Sequence, residues 1–248
     1  ITTLRRDIET DGRHAVVTFS GSWAEDASRR DFTMNTLLSD PDGNIYDPTG
    51  QGLSDLEAGR VIFVGDPAQR IEEDKLRILR FFRFHAFYGQ GEPDAAALAA
   101  CREAAGKIGN LSKERISQEF FKILSVDNPV NILSLMFENM VLKEFLFQSS
   151  DLDLLKHFSG YQKSYSLSDV PSRIFVLAAM DFSNLKAMEK FLIFPKVFQR
   201  DFQLISQVLK LPDLSEEQAV KEAVYRFGRS ASAQALMIEL AQDRVMNG

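Results

Sequence analysis

The 248-residue chain is 45 % hydrophobic, with a formal charge of −6, a pI near 5.2 and a single cysteine. That length and apolar content exclude a disordered chain and suffice for more than one packing unit, while the acidic balance excludes a protein that coats nucleic acid through a general positive field. One thiol excludes a disulfide framework or a multi-cysteine metal site, and no run approaches the ~18 apolar residues of a membrane span or the pattern of a signal peptide, so a soluble, cytoplasmic protein is expected.

From residue 1 to about 65 the pattern is strand-like. Val16, Val17 and Phe19 follow a turn at TDGR, Thr33 to Leu38 and Ile45 to Tyr46 flank the turn SDPDGN, and VIFVG forms a short apolar run before Asp66 and Pro67. One short helix is expected at about 23–29. The chain starts without Met in an alternating pattern and stops within a helical one, so it reads as a piece of a longer protein. From about 66 onward nearly every segment reads as helix. EPDAAALAACREAAGKIG should end at Gly109, Ser112 starts SKERISQEFFKIL, Pro129 sits at a first helical turn, and Ser215 with Gln218 spells a capping box. No internal repeat is strong enough to define a solenoid, although the string of helices keeps that alternative open. The expected class is α+β, predominantly α.

RIEEDKLRILRFFRFHAFYG, residues 70–89, mixes guanidinium groups and aromatics. On a helical wheel Ile78, Phe81, Phe82 and His85 share one face, and Arg77, Arg80 and Arg83 lie among Leu76, Leu79 and Phe84 on the other. Buried charge is costly unless paired, so these arginines either meet carboxylates or line a cleft that takes an anion. Glu73 and Asp74 stand four and three residues before Arg77, within helical pairing range, whereas Arg80 and Arg83 have no such local acid. A phosphate would serve them, since a guanidinium fork matches phosphate oxygens. Residues 61–90 carry five Arg and Lys against four Asp and Glu, weakly positive within an acidic chain. Spacing alone does not decide between an ion-pair network and a ligand cleft.

Four stretches, EDASRRDFTMN (25–35), YDPTGQGLSDLEAGRVIFVGDP (46–67), RIEEDKLRILRFFRF (70–84) and SKERISQEFFKIL (112–124), together resemble the class II tRNA nucleotidyltransferase and bacterial poly(A) polymerase family. The resemblance covers residues 1 to about 125. It implies the last part of a nucleotidyltransferase head with its β-sheet over 1–65, a helical neck that recognises the nucleotide over 66–125, and a helical, RNA-binding body over 126–248. It implies that Arg30 contacts the triphosphate and Asp31 the ribose of the incoming nucleotide, with Asn35 supporting them. Asp74 and Arg77 would face the Watson–Crick edge of the base, and Arg80 and Arg83 would orient these groups and meet phosphates. Arg29, Glu73, Arg115 and Glu119 would give structural support.

The implied reaction is attack of a tRNA 3′-hydroxyl on the α-phosphate of CTP or ATP, building CCA with Mg²⁺ assistance. The metal-binding carboxylates would lie before residue 1, leaving these residues alone inactive. Alternatives are a bacterial poly(A) polymerase and a catalytically inactive helical RNA-binding protein of the same descent. Departures from the family pattern are Lys75 where Pro is usual, Gln51 for the second glycine of a pair, and Thr36 for an alanine.

Other candidates have plainer readings. Arg5, Arg6, Asp7, Arg13 and His14 surround a turn that is either a solvated hairpin or a loop near the active site. DLD at 151–153 reads as a solvated helix start. His14, His85 and His157 are too scattered for a metal site, and His85 and Cys101 read as core residues. GQGLSDL lacks the Lys-Ser/Thr of a phosphate loop. Phe137, Phe145 and Phe147 read as core.

Overall fold

The computed structural model describes residues 5–10, 15–19, 22–141, 143, 152–212 and 214–247. They form two compact units, Ile1–Ser112 with Glu138–Val141, and Lys113–Phe137 with Leu142–Gly248. The fold is α+β and mainly helical.

In the first unit, β1 (Arg5–Thr10) and β2 (Ala15–Phe19) pair antiparallel, Arg5 opposite Phe19, with a register shift between Asp7 and Glu9. Arg13 and His14, and the side chains around them, lie outside the described residues. α1 (Trp23–Ser28) starts at Ser22, whose hydroxyl accepts from the Glu25 amide.

The strand expected over Thr33–Leu38 is mostly absent. Thr33–Asn35 is a 3₁₀ turn, and only Leu38–Ser39 (β3) pairs with Ile45–Tyr46 (β4). Threonine hydroxyls explain the difference. Thr33 donates to the buried carboxylate of Asp55 at 2.6 Å and Thr36 to the Thr33 carbonyl at 2.7 Å, which draws the segment into a turn. The VIFVG run likewise makes a single antiparallel bridge, Phe32 to Phe63, instead of a strand.

Four helices complete this unit. α2 (Gly52–Glu57) is followed by α3 (Pro67–Glu73), which opens as the sequence suggests: Pro67 is in the first turn and the Asp66 carboxylate accepts from the Gln69 amide at 2.8 Å. α4 (Leu76–Tyr88) is the arginine helix, and α5 (Ala95–Ala104) is capped by Asp94. α5 stops short of the expected Gly109 because the glycine-bearing stretch Ala105–Asn110 winds on as a 3₁₀ turn.

Ile78, Leu79, Phe81 and Phe82 of α4 are fully buried. Phe32 lies 4.9 Å from Phe63 and 5.0 Å from Phe84, ring centre to ring centre, and Phe63 stacks on Phe81 at 5.9 Å. Each buried phenylalanine contributes about 1.5–3 kcal/mol, so this cluster fixes α4 against the 31–33 and 61–64 segments.

The second unit holds α6 (Lys113–Leu124), α7 (Val130–Glu138, whose last residue belongs to the first unit), α8 (Leu152–Ser164), α9 (Val170–Leu177), α10 (Phe182–Met188), α11 (Lys196–Val208), α12 (Glu217–Phe227) and α13 (Arg229–Asn247). α13 packs along α8 and α11, around Leu155, Phe158, Phe202, Ala235 and Ile238. The Leu133 amide bonds to the Pro129 carbonyl, placing this proline at the helix entrance as expected. Ser215 is not the N-cap residue of α12: Glu216 takes that place and makes no side-chain capping bond. Gly228, at φ +85°, ends the helix. Asp153 is an exposed residue in the first turn of α8, while Asp151, Phe145 and Phe147 lie outside the described residues. Phe137 is half-buried.

Arg173 lies at the centre of this unit with no solvent access. It donates to Gln162 Oε1 at 2.6 Å, to the Leu124 carbonyl at 2.6 Å, and to the carbonyls of Val126 and Asp127, which stitches the end of α6 to α9. Gln162 in turn bonds Ser172 and Gln234.

Candidate functional site

The charged cluster starts from Asp26, which is 1 % exposed. Because α1 ends at Ser28, Arg29 and Arg30 follow within one turn and both reach back to it. Arg29 donates Nε and Nη2 at 3.0 and 2.6 Å, and Arg30 donates Nε at 2.9 Å with Nη2 at 2.7 Å. The other prong of Arg30 donates to the Asn35 carbonyl at 2.8 Å. The 3₁₀ turn thereby closes onto the arginine pair.

Asp31 is also buried. Its Oδ1 accepts from the Phe32 amide at 3.0 Å and from Asn35 Nδ2 at 2.8 Å, and its Oδ2 accepts from Arg80 Nε at 2.6 Å and from Arg80 Nη2. The segment around it is held to the chain at 62–64 by Thr33 N to Ile62 O (2.9 Å) and Val64 N to Asp31 O (3.0 Å). Asp55 does comparable work beneath it, accepting from Thr33 and from Arg60 Nε at 2.9 Å. Three buried carboxylates are thus each matched by cations or hydroxyls, which offsets their desolvation.

On the helical side, Glu73 carries two guanidinium groups. Arg70 Nη1 donates to it at 2.6 Å and Arg77 Nη1 at 2.5 Å. Arg77 Nη1 also donates to the Arg70 carbonyl at 2.7 Å, Arg77 Nη2 reaches the Arg29 carbonyl at 3.4 Å, and Arg70 Nη2 donates to the Arg30 carbonyl. Asp74 leaves the helical conformation (φ −150°, ψ 108°) between α3 and α4, and its carboxylate accepts from the Leu76 amide at 3.0 Å. Arg83 lies over the Phe84 ring, 4.4 Å from its centre, and Arg80 lies 5.5 Å from the same ring.

The structure therefore brings Arg29, Arg30, Asp31, Asn35, Glu73, Arg77 and Arg80 into one network, with Asp74 and Arg83 at its margin. Arg115 and Glu119 lie on α6 of the second unit. Glu119 is buried and accepts from Lys122 at 3.5 Å; Arg115 is half-buried one turn earlier. The sequence assigns Arg80 no local acid, and none is local: Asp31 comes from 49 residues away. Of the two acids before Arg77, Glu73 takes the ion pair. Asp26, Asp55 and Arg70 are absent from the sequence-based set. Arg70 and Asp26 have readable signals, Arg70 three residues before Glu73 and Asp26 three and four residues before Arg29 and Arg30, whereas Asp55 has none as near to Thr33.

A family model described as "Poly A polymerase head domain" matches residues 1–62, and one described as "Probable RNA and SrmB- binding site of polymerase A" matches residues 92–151. The CCA-adding enzyme of Streptococcus pneumoniae is 30 % identical over 251 aligned residues, 100 % of this chain and 62 % of that protein. The chain belongs to the tRNA nucleotidyltransferase and poly(A) polymerase family. The mitochondrial CCA tRNA nucleotidyltransferase 1 of Danio rerio is 41 % identical over 184 residues, 73 % of this chain and 41 % of that protein. A crystal structure of the Bacillus stearothermophilus CCA-adding enzyme in complex with CTP matches 97 % of this chain and 58 % of its own, with a TM-score of 0.71 at 23 % identity, which shows a shared fold. The chain spans less than two thirds of the length of these relatives.

The departures from the family pattern fit their places. Lys75 sits at the entrance of α4 with φ −61°, the value a proline would impose, and pairs with Glu72 at 3.0 Å. Gly50 takes the left-handed conformation (φ +70°) while Gln51 stays at φ −125°. A Cβ on Gly52 would stand 2.6 Å from the Thr33 carbonyl, so the glycine that cannot be replaced is the one beside the 3₁₀ turn. Thr36 bonds Thr49 at 3.2 Å, which ties that turn to the GQG loop. The loop is organised by Asp47. Burial works to raise its pKa, but hydrogen bonds from the Leu53 amide, Thr49 and the Gly50 amide outweigh this and hold it below the ordinary value.

The remaining titratable candidates lack reactive settings. Burial pushes the Cys101 thiol up to about 12, leaving it inert. Burial pushes His85 down against the opposing pull of Glu92, and its ring stacks on Phe81 at 6.4 Å.

Proposed function

We propose that this chain is the nucleotide-recognising and RNA-binding part of a template-independent nucleotidyltransferase that adds CCA to tRNA 3′ ends from CTP and ATP. In this reading residues 1–65 end the head, 66–125 form the neck and 126–248 the body. The observation that carries it is the Asp31–Arg80 pair, which fastens the segment assigned to triphosphate and ribose onto the helix assigned to the base.

Arg30 and Asp31 are held by Asp26, Asn35 and Arg80, and so are positioned before any nucleotide arrives. On Arg77, Nη1 is committed to Glu73 and the Arg70 carbonyl, while Nε has no partner among the described residues. That leaves Nε as a donor in the first turn of α4, the helix that Asp74 precedes. An acceptor next to a donor complements the amino group and ring nitrogen of cytosine or adenine, and opposes the carbonyl and N–H of uracil and guanine. Arg80 and Arg83, backed by Phe84, supply positive charge for phosphates. The 3′-hydroxyl attack on the α-phosphate would release pyrophosphate. Among the described residues no group of three or more His, Cys, Asp or Glu side chains could hold a metal ion. The residues present do not fit the Mg²⁺ that the resemblance implies, and no step is routed through it.

The partner in this reading is the 3′ end of tRNA, as the names of the relatives suggest. Among the described residues no helix is long and apolar enough to cross a membrane. The zebrafish relative is mitochondrial by name, which gives no support to the cytoplasmic location expected from the sequence.

The test is incubation of the full-length protein with tRNA ending at the discriminator base and labelled CTP and ATP. Ordered incorporation of C, C and A supports the reading. Long A tails without C would replace it with poly(A) synthesis, and no incorporation would favour an inactive RNA-binding protein.

A further inference from the structure

Arg70 precedes the α4 arginines assigned to the nucleotide and contacts both Glu73 on its own helix and the main chain at Arg30. It is 9 % exposed. Its Nη1 fixes Glu73 at 2.6 Å, and the same Glu73 oxygen accepts from Arg77. Its own carbonyl accepts from Arg77 at 2.7 Å. Its Nη2 donates to the carbonyl of Arg30, 40 residues earlier in the chain, and the Arg29 carbonyl beside it accepts from Arg77 at 3.4 Å. One side chain thereby connects the peptide that carries Arg30 and Asp31 to the carboxylate that sets the direction of the Arg77 fork.

The geometry points to a role for Arg70 as the positioning residue that couples base recognition to the triphosphate and ribose segment, an inference that rests on the proposed function for its nucleotide consequence but not for its structural one. Glu73 alone cannot do this. A carboxylate on the last turn of α3 with one guanidinium partner is free to turn outward with that partner, and a half-exposed pair of this kind contributes little order. Anchored by Arg70 to a main-chain carbonyl, Glu73 has one orientation, and with the Arg70 and Arg29 carbonyls it fixes the Arg77 fork. A base-reading guanidinium needs that order, because discrimination between nucleobases depends on which N–H faces which edge.

Arg70→Gln removes the anchor without touching any group assigned to the nucleotide. Two measurements on the full-length protein separate the layers. In the first, the side-chain Nη1–H signal of Arg77, the group bonded to Glu73, is followed by ¹⁵N NMR without nucleotide, its exchange with solvent compared in wild type and variant. The inference predicts exchange faster by roughly tenfold or more, the loss expected for one charge-assisted anchor; an unchanged rate would overturn it.

In the second measurement, the preference for CTP over UTP is compared in wild type, Arg70→Gln, Arg77→Ala and the double variant. Arg70→Gln should lose most of the preference that Arg77→Ala loses, and the double variant should lose no more than Arg77→Ala alone, because both act through one guanidinium. Additive losses would overturn the coupling. A wild type with no preference, together with accelerated Arg77 exchange in the variant, would sink the base-reading function and leave Arg70 as the organiser of the cluster. Should Arg70→Gln fail to fold, Arg70→Lys, which keeps the charge and loses the fork, carries both measurements with the same expected directions.

Discussion

The side chains of Arg70, Arg77 and Arg80 in the first unit keep 11, 15 and 31 % of their exposure and each meets a carboxylate, whereas Arg173 in the second unit has none and hydrogen-bonds only neutral oxygens. Asp127 and Asp169 act on Arg173 only at longer range, and burial lowers its pKa from the ordinary arginine value. Its role is structural: it satisfies the carbonyls at the end of α6, which have no partner within that helix, and places positive charge where the helix dipole is negative. Arg77 and Arg80 are held by part of the fork and keep donors in reserve, while Arg70 is a buried anchor. A guanidinium buried on all sides and bonded through every nitrogen stitches helices together; one held by part of its fork at a partly exposed position can receive a ligand.

The largest effect should come from breaking the stitch. Arg173→Met keeps the bulk but leaves buried carbonyls and Gln162 Oε1 without a donor, which costs about 3–5 kcal/mol, readable by denaturant unfolding; a loss below about 1 kcal/mol would end the contrast with α4. Asp31→Asn should cost less, about 2 kcal/mol, because Arg80 can turn to water. The Arg80→Gln and Asp31→Asn changes should also combine non-additively in a double-mutant cycle.

Smaller again, Gly52→Ala should destabilise by about 1–3 kcal/mol, since its Cβ would meet a main-chain oxygen. Gly50→Ala should cost about 1 kcal/mol for its left-handed backbone, and Gln51→Gly less than about 1 kcal/mol. Thermal unfolding of the three variants tests that order. The smallest effect is a pH dependence. Asp47 has a folded pKa below its unfolded value, so its stabilisation is complete above the unfolded value of 3.8 and is lost as pH falls through the folded one. The stability gap between wild type and Asp47→Asn should therefore narrow below about pH 4, and a gap that widened on acidification would contradict the loop geometry.

Much of this was legible because it is local. The 3.6-residue period identified α4 and the burial of Ile78, Phe81 and Phe82, although Leu76 and Leu79 are buried too and His85 only half so; Asp66-Pro67 marked the start of α3, and the four motifs in order pointed to the family. The capping box at Ser215 misled because the spelling fits a cap that the chain enters one residue later, at Glu216. Thr33–Leu38 has strand propensity, but hydroxyl bonds to Asp55 and to the backbone override it. The two arrangements that matter most, Asp31 with Arg80 and Arg173 with the end of α6, join residues 49 positions apart. No spacing rule reaches that far, since packing of the intervening helices brings them together.

The central claim is that the arginine helix reads a base through a guanidinium held by part of its fork. The most direct test is the CTP-over-UTP preference of the full-length protein with Arg77→Ala, measured alongside tRNA binding. The preference should fall by roughly tenfold or more, the scale of one lost bidentate contact, while tRNA affinity changes little. A variant that still chose CTP over UTP as well as the wild type would contradict it.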